Sequence, residues 1–232
     1  MVLVGYWPLD EESGGIAADV RNNMDGETGG GVTQGAQGVL GETCYDFDGS
    51  GIVNTETGDI SGGPLDISER LTLSCWIFSR GTNNNEICVV HHRRREGASG
   101  PSLNYTLSVD GRDSDDFVFW YNGTGDWNII DSGYDVPTNE WHHLAIAVDN
   151  TSNPMEVKFF VDGELYSTKT SSNRIENKTA EFHIGNSDGN SRGINGKIQD
   201  VRVYNHALTK SEIQYLYSVS ERGLHTSDSR SL

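Results

Sequence analysis

One serine in the sequence has the spacing of a catalytic nucleophile. Gly185, Ser187 and Gly189 match the pattern G-x-S-x-G, which reads GNSDG in this chain. In enzymes that use this pattern, the serine sits on a sharp turn between a strand and a helix. Here a polar stretch and a further predicted strand follow the motif. We therefore interpret the match as chance and not as an active site.

A second short motif begins like a calcium-binding loop. Asp46, Asp48 and Ser50 alternate in the stretch DFDGSG. An EF-hand loop needs a glutamate that places both oxygens on the metal at its twelfth position, and that position is Thr57. The flanking residues also favour strands over helices, so an EF-hand is excluded.

Aromatic and amide side chains are concentrated in one region rich in Asp and Gly. A sugar-binding surface needs such residues, because an exposed ring can stack on the C–H face of a sugar while amides bond its hydroxyl groups. The alternative is that Trp120 and Trp127 are ordinary residues of a sheet. The candidate ligand-binding residues are Trp120, Tyr121, Asn122, Trp127, Asn128 and Tyr134.

The chain has one basic cluster, HHRRR at residues 91–95. It could contact an acidic glycan or an acidic neighbouring subunit, and the alternative is a solvated strand end. His142 and His143 are consecutive, so in a strand they point to opposite faces and cannot bind one metal ion together. A structural role is predicted for both histidines.

The cysteines do not suggest a disulfide framework, because their number is odd. Those at 75 and 88 lie in apolar runs and are predicted to be small core residues, with a bond between them as the alternative. The chain also contains four N-x-S/T sequons, which are modified only if the protein reaches a glycosylating compartment. The cysteines are Cys44, Cys75 and Cys88, and the sequon asparagines are Asn104, Asn122, Asn150 and Asn177.

The charge balance is strongly acidic. The 232 residues include 17 Lys and Arg against 34 Asp and Glu, which gives a net charge of -17. Such a surface repels nucleic acid and anionic membranes, so neither is expected as a partner. Dense carboxylates with only five lysines suit a protein that works in high salt, where charges are screened. A halophilic source is predicted, and the alternative is an acidic protein from an ordinary source.

The N-terminal residues MVLVGYWPLDEES lack the basic region and the long apolar stretch of a secretory signal. No segment approaches the ~20 apolar residues of a transmembrane helix, so membrane insertion is not expected. If the protein acts outside a cell, we expect it to leave by another route, such as assembly into a virus particle and release by lysis.

The pattern of apolar residues predicts many short strands separated by turn signals, which is typical of a sandwich or barrel. Asp162 and Gly163 mark a hairpin turn. Thr209 and Glu212 form a capping box ahead of SEIQYLYSVSE, which predicts one helix. Residues 1–218 are predicted to form one domain, and residues 219–232 a polar, mobile tail. The predicted strands are 2–9, two within 44–53, 71–78, 86–92, 104–109, 117–121, 128–130, 141–148, 156–161, 164–168, 180–184 and 198–204.

Several stretches occur in a characteristic order: VGYWPLDEESGGIAADVRNN, YDFDGSGIV, LTLSCWIFSR, NEWHHLAIAVD with VKFFVDGELYST, and FHIGNSDGNSRGINGKIQDVRVYNHALTKSEIQYLY. Together they resemble laminin G-like domains of the concanavalin A-like lectin/glucanase class, over about residues 4–217. The resemblance implies an all-β fold of two antiparallel sheets packed face to face as a jelly-roll sandwich, with one short C-terminal helix.

The large and small residues of these stretches are expected to explain the fold. Trp7, Trp76 and Trp141 are predicted to lie in or beside the core, since each can bury roughly 200 Å². Sugar stacking is the alternative role for them. Gly185 and Gly196 are predicted to supply tight bends.

The resemblance implies a specific arrangement of carboxylates if the chain is a glucanase. Jelly-roll glucanases of this class carry two glutamates around an aspartate on one strand, and retaining hydrolysis needs carboxyl groups about 5 Å apart. No predicted strand here has the spacing E-x-D-x-E or E-x-D-x-x-E. Glu156, Asp162 and Glu164 do not fit, because the last two flank a turn. The protein is therefore predicted not to be an enzyme.

Many laminin G-like domains hold a calcium ion at the rim, and the resemblance implies a structural Ca²⁺ site here as well. Oxygen ligands from separate loops suit Ca²⁺. The alternative is that the acidic residues form turns and hold water. The candidate metal ligands are Asp19, Asn22, Asp25, Asp48 and Asp200.

Three functions remain as hypotheses. The favoured one is a non-enzymatic recognition and adhesion module that binds cell-surface glycans, as a capsid decoration, turret or tail-fibre component on a virus particle of a halophilic host. The second is a purely structural module that contacts other protein subunits of a virion or cell surface, including further copies of itself. The third is a polysaccharide hydrolase.

Overall fold

The computed structural model describes residues 2–39, 43–55, 63–81, 86–93, 103–111, 115–123, 126–176, 181–186 and 193–226. Within these, residues 86–93, 103, 126 and 220–226 are described by their backbone. The elements are β1 (Leu3–Trp7), β2 (Ile16–Ala17), β3 (Gly26–Thr28), β4 (Val32–Gln37), β5 (Thr43–Asp48), β6 (Val53–Thr55), β7 (Arg70–Ser79), β8 (Glu86–Arg93), β9 (Leu103–Asp110), β10 (Asp116–Gly123), β11 (Asp126–Asp135), β12 (Trp141–Asp149), β13 (Met155–Val161), β14 (Glu164–Ser171), β15 (Glu181–Ile184), β16 (Asn195–Tyr204) and α1 (Lys210–Thr226).

The strands form two antiparallel sheets of eight strands each. The order in the first sheet is β14-β13-β12-β7-β16-β5-β4, and β1 also pairs with β16. The order in the second sheet is β11-β10-β9-β8-β15-β6-β3-β2. Many neighbouring strands are distant in sequence, because the chain crosses repeatedly between the sheets. The predicted all-β jelly-roll sandwich is confirmed.

Strand alternation builds the core between the sheets. Alternate residues of β7 from Leu71 to Ile77 are fully buried there, as their spacing predicts. Phe117 of the second sheet meets Phe159 of the first sheet edge to face, with ring centroids 5.2 Å apart. The inner faces of the two sheets therefore interdigitate through large apolar side chains.

The three predicted core tryptophans occupy different environments. Trp7 is fully buried, its Nε1 donates to the Met24 carbonyl at 2.9 Å, and its ring stacks on Phe182 at 4.8 Å. Trp76 lies on the outer face of the first sheet beneath α1, and Trp141 is partly exposed at the end of β12. The structure thus places one in the core and two beside it.

Helix α1 packs on the outer face of the first sheet. Ile213 and Leu216 join Phe160 of that sheet in a second apolar cluster. The amide and hydroxyl of Thr209 donate to the Glu212 carboxylate at 2.7 and 2.8 Å, and the Glu212 amide donates back to Thr209 Oγ1 at 3.4 Å. The predicted capping box is confirmed.

The helix continues past the predicted domain boundary at residue 218 and ends at Thr226. Once its first turn is formed, each added residue gains one backbone hydrogen bond, and this segment contains no proline to stop it. Residues 219–226 thus belong to α1, residues 227–232 lie outside the described chain, and the boundary with its mobile tail stays a prediction. The helix is not long and apolar enough to cross a membrane, nor is any other in the described residues.

The predicted glycine roles are confirmed at two positions and corrected at a third. Asp162 and Gly163 have φ angles of 49° and 78°, as a tight hairpin turn requires. Gly185 has φ 86°, and a β-carbon there would lie 2.2 Å from the ring of Phe47. Gly196 lies within β16, where a β-carbon would meet the Phe78 carbonyl oxygen at 2.1 Å. Close approach of two backbones, and not a bend, therefore requires this last glycine.

Cys44 and Cys75 are buried and free. The alternative bond between Cys75 and Cys88 is therefore not formed, and the core role predicted for Cys75 is confirmed. The side chain of Cys88 lies outside the described part of the chain.

Residues 14–41 show little periodicity, yet they contain strands β2, β3 and β4. The pairing of β4 with β5 shifts register between Thr33 and Ala36, at a position where Gly35 has φ 78°. The side chains of β4 alternate between partly buried and exposed, and most of them are polar or small. Such short or bulged strands leave a weak apolar pattern, which explains why they were not predicted.

Candidate functional site

The predicted ligand-binding residues lie in three separate places. Trp120, Asn122 and Trp127 belong to the outer face of the second sheet, because Phe119 and Tyr121 of β10 point into the core and their neighbours alternate outward. The core contains Tyr121, and the edge of the sheet near β14 contains Asn128 and Tyr134. The outer face is therefore the part of the prediction that can meet a ligand.

Trp120, Trp127 and Ile129 form a surface that we call the outer aromatic patch. Ile129 lies opposite Trp120 across β10 and β11, and Trp127 lies opposite Asn122. The two indole rings meet edge to face, with centroids 6.4 Å apart and an interplanar angle of 84°. Trp127 is 44% exposed and Ile129 is 43% exposed. Ile129 was not predicted, although its period-two spacing from Trp127 could have identified it.

Buried polar side chains lie beside the outer aromatic patch. On β9, Thr106 is opposite Trp120 and Ser108 is opposite Val118, and both are nearly fully buried. The side-chain oxygen and nitrogen of Asn122 and the hydroxyl of Ser108 have no hydrogen-bond partner among the described residues. A buried polar group left unpaired costs roughly 1–3 kcal/mol. An ordered water would satisfy these atoms.

Tyr121 is a buried residue that connects the two sheets. Its hydroxyl shares a hydrogen bond with Ser171 Oγ at 2.8 Å, its ring stacks on Phe119 at 5.3 Å, and burial raises its pKa. The side chain links the second sheet to β14 of the first sheet. A ligand could touch this ring only if it left the core.

Asn128 and Tyr134 lie toward the edge where β11 approaches β14, which we call the seam. The Nδ2 of Asn173 donates to Asn128 Oδ1 at 2.7 Å. The ring of Tyr134 lies 5.0 Å from that of Tyr166 and 6.1 Å from that of His142. Tyr166 comes from a strand far along the chain, so no local pattern of residues joins it to Tyr134.

Asp19 organises the loop that was predicted to bind calcium. Its two carboxylate oxygens accept four backbone hydrogen bonds at 2.9 to 3.2 Å, from Tyr6, Arg21, Asn22 and Met24. Asp25 Oδ1 accepts the Asp19 amide at 2.8 Å, and Asn22 Nδ2 donates to the Val4 carbonyl at 2.6 Å. Protein donors thus already fill the positions that a metal ion would need.

The other two predicted ligands are engaged separately. Asp48 Oδ1 accepts the amide and hydroxyl of Ser50 at 2.9 and 2.7 Å, and these bonds lower its pKa. Asp200 Oδ1 accepts Nε and Nη2 of Arg202 at 3.1 and 2.9 Å. Within the described residues, no three His, Cys, Asp or Glu side chains are grouped to hold a metal ion. The five residues do not fit one shared calcium site, and calcium binding stays a prediction.

The two consecutive histidines have different environments, as predicted. His142 Nδ1 lies 2.9 Å from Asp162 Oδ2, and although burial opposes it, this bond and the His143 amide hold the pKa of Asp162 below its ordinary value. His143 is almost fully buried between the rings of Trp76 and Tyr217. Burial lowers the pKa of His143 to about 4.

Three of the four sequon asparagines are inaccessible in the folded chain. Asn104 and Asn122 are at most 1% exposed, and Asn150 is buried with its side chain bonded to the Ser68 carbonyl at 2.7 Å. Asn177 lies outside the described residues, as do the side chains of the basic cluster at 91–95.

Comparison with known proteins places these features in a family context. The family model described as the concanavalin A-like lectin/glucanases superfamily, of laminin G type, matches residues 50–214. No curated protein matches the chain. Likeness to solved structures is extensive, at sequence identities that show the fold alone.

Three solved structures illustrate this likeness. Domain 4 of AbnA, a GH43 extracellular arabinanase from Geobacillus stearothermophilus, in complex with arabinotriose, has 22% identity and a TM-score of 0.69, with 93% of this chain and 98% of that chain covered. The binding domain of Paraclostridial Mosquitocidal Protein 1 has 16% identity and a TM-score of 0.69, with 94% and 52% covered. Trypanosoma rangeli sialidase in complex with sialic acid has 16% identity and a TM-score of 0.66, with 93% and 32% covered. The chain therefore spans about half of the second protein and about a third of the third.

Proposed function

The chain belongs to the concanavalin A-like lectin/glucanase superfamily, and from this premise we propose that it is a non-enzymatic carbohydrate-binding module. The observation that carries the proposal is the outer aromatic patch, where the exposed ring of Trp127 lies opposite Asn122 in the sheet. The exposed aromatic face offers the stacking contact that a sugar ring needs.

The solved structures support carbohydrate as the class of ligand. The arabinanase domain was solved with arabinotriose and the sialidase with sialic acid. Those ligands belong to those proteins, and what they support here is a saccharide in general.

A substitution of Trp127 tests the proposal. We expect the wild-type protein to bind a subset of glycans on an array, and we expect Trp127→Ala to weaken that binding at least about tenfold, or about 1.4 kcal/mol. Because Trp127 is 44% exposed, its removal should leave the fold intact, which circular dichroism would verify. Tyr215→Ala is the matched control, since Tyr215 is 62% exposed on α1 and away from the outer aromatic patch.

Two results would contradict this function. A glycan array on which neither protein binds would remove the carbohydrate-binding role. Release of shortened products from any bound polysaccharide would show an enzyme instead of a binding module.

A second candidate, a structural module that binds protein subunits, is favoured by one feature of α1. Tyr215 and Val219 are 62% and 38% exposed, and they lie one helical turn apart on the same face. Sedimentation of the wild type and of Tyr215→Ala would test it. A concentration-dependent oligomer that the substitution dissociates would favour this role.

The setting we propose is the surface of a virus particle, or another extracellular surface, of a halophilic host. The composition supports high salt, because the net charge is -17 and the chain has five lysines. Antibody labelling of purified particles and of host cells would test the location. Label on neither would contradict it.

A further inference from the structure

A second group of side chains with binding chemistry lies at the seam, apart from the outer aromatic patch. We call it the seam cluster, and it consists of Tyr134, Glu140, His142, Asp162 and Tyr166. It draws on β11, on β14, on the start of β12 and on the turn after β13. The cluster therefore depends on both sheets and on residues far apart in sequence.

Two tyrosine rings form the walls of the seam cluster. Tyr134 and Tyr166 have ring centroids 5.0 Å apart and planes inclined at 68°. The hydroxyl of Tyr166 donates to the Gly133 carbonyl at 2.8 Å, which holds the ring in place, while the residue stays 49% exposed. An aromatic face held in this way is ready to receive a cation.

A histidine and two carboxylates lie beside these rings. His142 Nδ1 lies 2.9 Å from Asp162 Oδ2 and donates to it, because an ionised carboxylate can only accept. Nε2 lies 3.9 Å from Glu140 Oε2 and has no hydrogen-bond partner among the described residues. The exposed Glu140 carboxylate can accept from an N–H donor of a ligand, whereas the buried Nε2 cannot be reached by one.

The charges around the seam cluster are negative. Burial, followed by the charges of Asp162 and Glu140, raises the pKa of Tyr134. Glu140 is 69% exposed at its side chain, so it can turn toward a ligand. A positive ligand is favoured by these carboxylates, by the two rings and by the net charge of -17.

We propose that the seam cluster binds the ammonium group of an amino sugar. An ammonium group supplies three N–H donors and a positive charge, which matches the carboxylates of Glu140 and Asp162 and the two aromatic faces. The choice of a sugar as carrier rests on the proposed function. The acetylated form of the same sugar lacks the charge and should be rejected.

Binding of D-glucosamine and N-acetyl-D-glucosamine, followed by nuclear magnetic resonance titration of the full chain near neutral pH, tests this inference. We expect glucosamine to bind at least roughly tenfold more tightly and to shift the signals of His142 and Tyr166. Glu140→Gln and Tyr166→Ala should each remove most of this preference. Glu12→Gln makes the same change of charge at an exposed position on a distant loop and should have no effect.

Equal binding of the two sugars, or unchanged glucosamine binding in Glu140→Gln, overturns the inference. Trp127→Ala separates it from the proposed function, because Trp127 is not part of the seam cluster. If Trp127→Ala abolishes binding of neutral glycans while Glu140→Gln has no effect on glucosamine, the seam inference alone fails. If no neutral glycan binds, the proposed function fails at the outer aromatic patch.

Discussion

His143 is a single residue whose environment fixes its protonation state. It lies under α1, with its ring 5.5 Å from that of Trp76 and 6.1 Å from that of Tyr217. Its Nδ1 has no hydrogen-bond partner among the described residues. Burial is the largest influence on its pKa, and the charged groups that act on it are Asp200, Arg202 and Asp162. The imidazole is therefore neutral in the folded protein near neutral pH.

This environment predicts a pH dependence of stability. The pKa of His143 is lowered from 6.5 to about 4, so the unfolded chain binds this proton more readily than the folded chain. The free energy of unfolding is therefore unaffected by this histidine above pH 6.5. As the pH falls from 6.5 toward 4, the unfolded chain takes up the proton and the free energy of unfolding decreases by about 3 kcal/mol in total. Urea denaturation of the wild type and of His143→Phe between these limits measures it. If the two free energies of unfolding fall in parallel, His143 is not the group responsible.

Helix α1 is attached to the first sheet by its first turn and by one apolar face. The capping box of Thr209 and Glu212 satisfies backbone donors that would otherwise be left open. Ile213 and Leu216 then bury against the first sheet, and Lys210 and Gln214 bond Glu164 of β14 at 2.6 and 2.7 Å. The last of these contacts are exposed, so the cap and the apolar face carry most of the attachment.

Thr209→Ala should destabilise the protein by about 1 kcal/mol, because it removes the hydroxyl that caps the helix. Denaturation monitored by circular dichroism measures the change. Ser211→Ala is the control, since Ser211 is exposed one residue into the helix and its loss should change stability by less than about 0.5 kcal/mol. Equal stability of the two variants would show that the capping box contributes nothing.

Elements with a regular pattern could be predicted from the sequence, and those without one could not. The alternation in β7 and the Thr209–Glu212 signature each identify their element from a few neighbouring residues. The strands β2 to β4 are short, polar or bulged, and long-range pairing stabilises them more than their own residues do.

Only those residues of the candidate site that lie close together in the sequence could be predicted to cluster. Trp120 and Trp127 are close in the sequence and meet across one hairpin, so their clustering could be anticipated. Tyr166 reaches Tyr134 only because the edges of two sheets come together. The inward direction of Tyr121 depends on the register of β10, which the residue types alone do not determine.

Acidic side chains outnumber basic ones over the whole molecule, and the net charge is -17. Repulsion between carboxylates therefore exceeds attraction between opposite charges. Arg80 meets Asp46 with two parallel bonds at 2.8 and 2.6 Å, and this bidentate, partly buried geometry makes the pair stabilising. The basic residues number 17 against 34 acidic ones, so half of the carboxylates have no cation to pair with. Repulsion among these carboxylates destabilises the folded state, and dissolved salt weakens the repulsion by screening the charges.

The melting temperature should therefore rise with KCl concentration. The Debye length falls from about 30 Å at 0.01 M to about 3 Å at 1 M, so self-repulsion is largely removed over this range. Each kcal/mol gained raises the melting temperature of a chain of this size by roughly 2–4 °C, and we expect a gain of several degrees. Calorimetry in KCl, with sorbitol as an uncharged control, measures this. A melting temperature that does not respond to KCl would contradict the role given to charge.

The buried sequons have a practical consequence for producing this protein. Glycans are attached to asparagine during secretion in eukaryotic cells, often before a domain has folded. A bulky, hydrated sugar chain on Asn104, Asn122 or Asn150 would have to be accommodated where the native sandwich leaves no room. Expression in a bacterial cytoplasm, or with these three threonine or serine acceptors replaced, should therefore yield native material where a secreting yeast or insect culture would not.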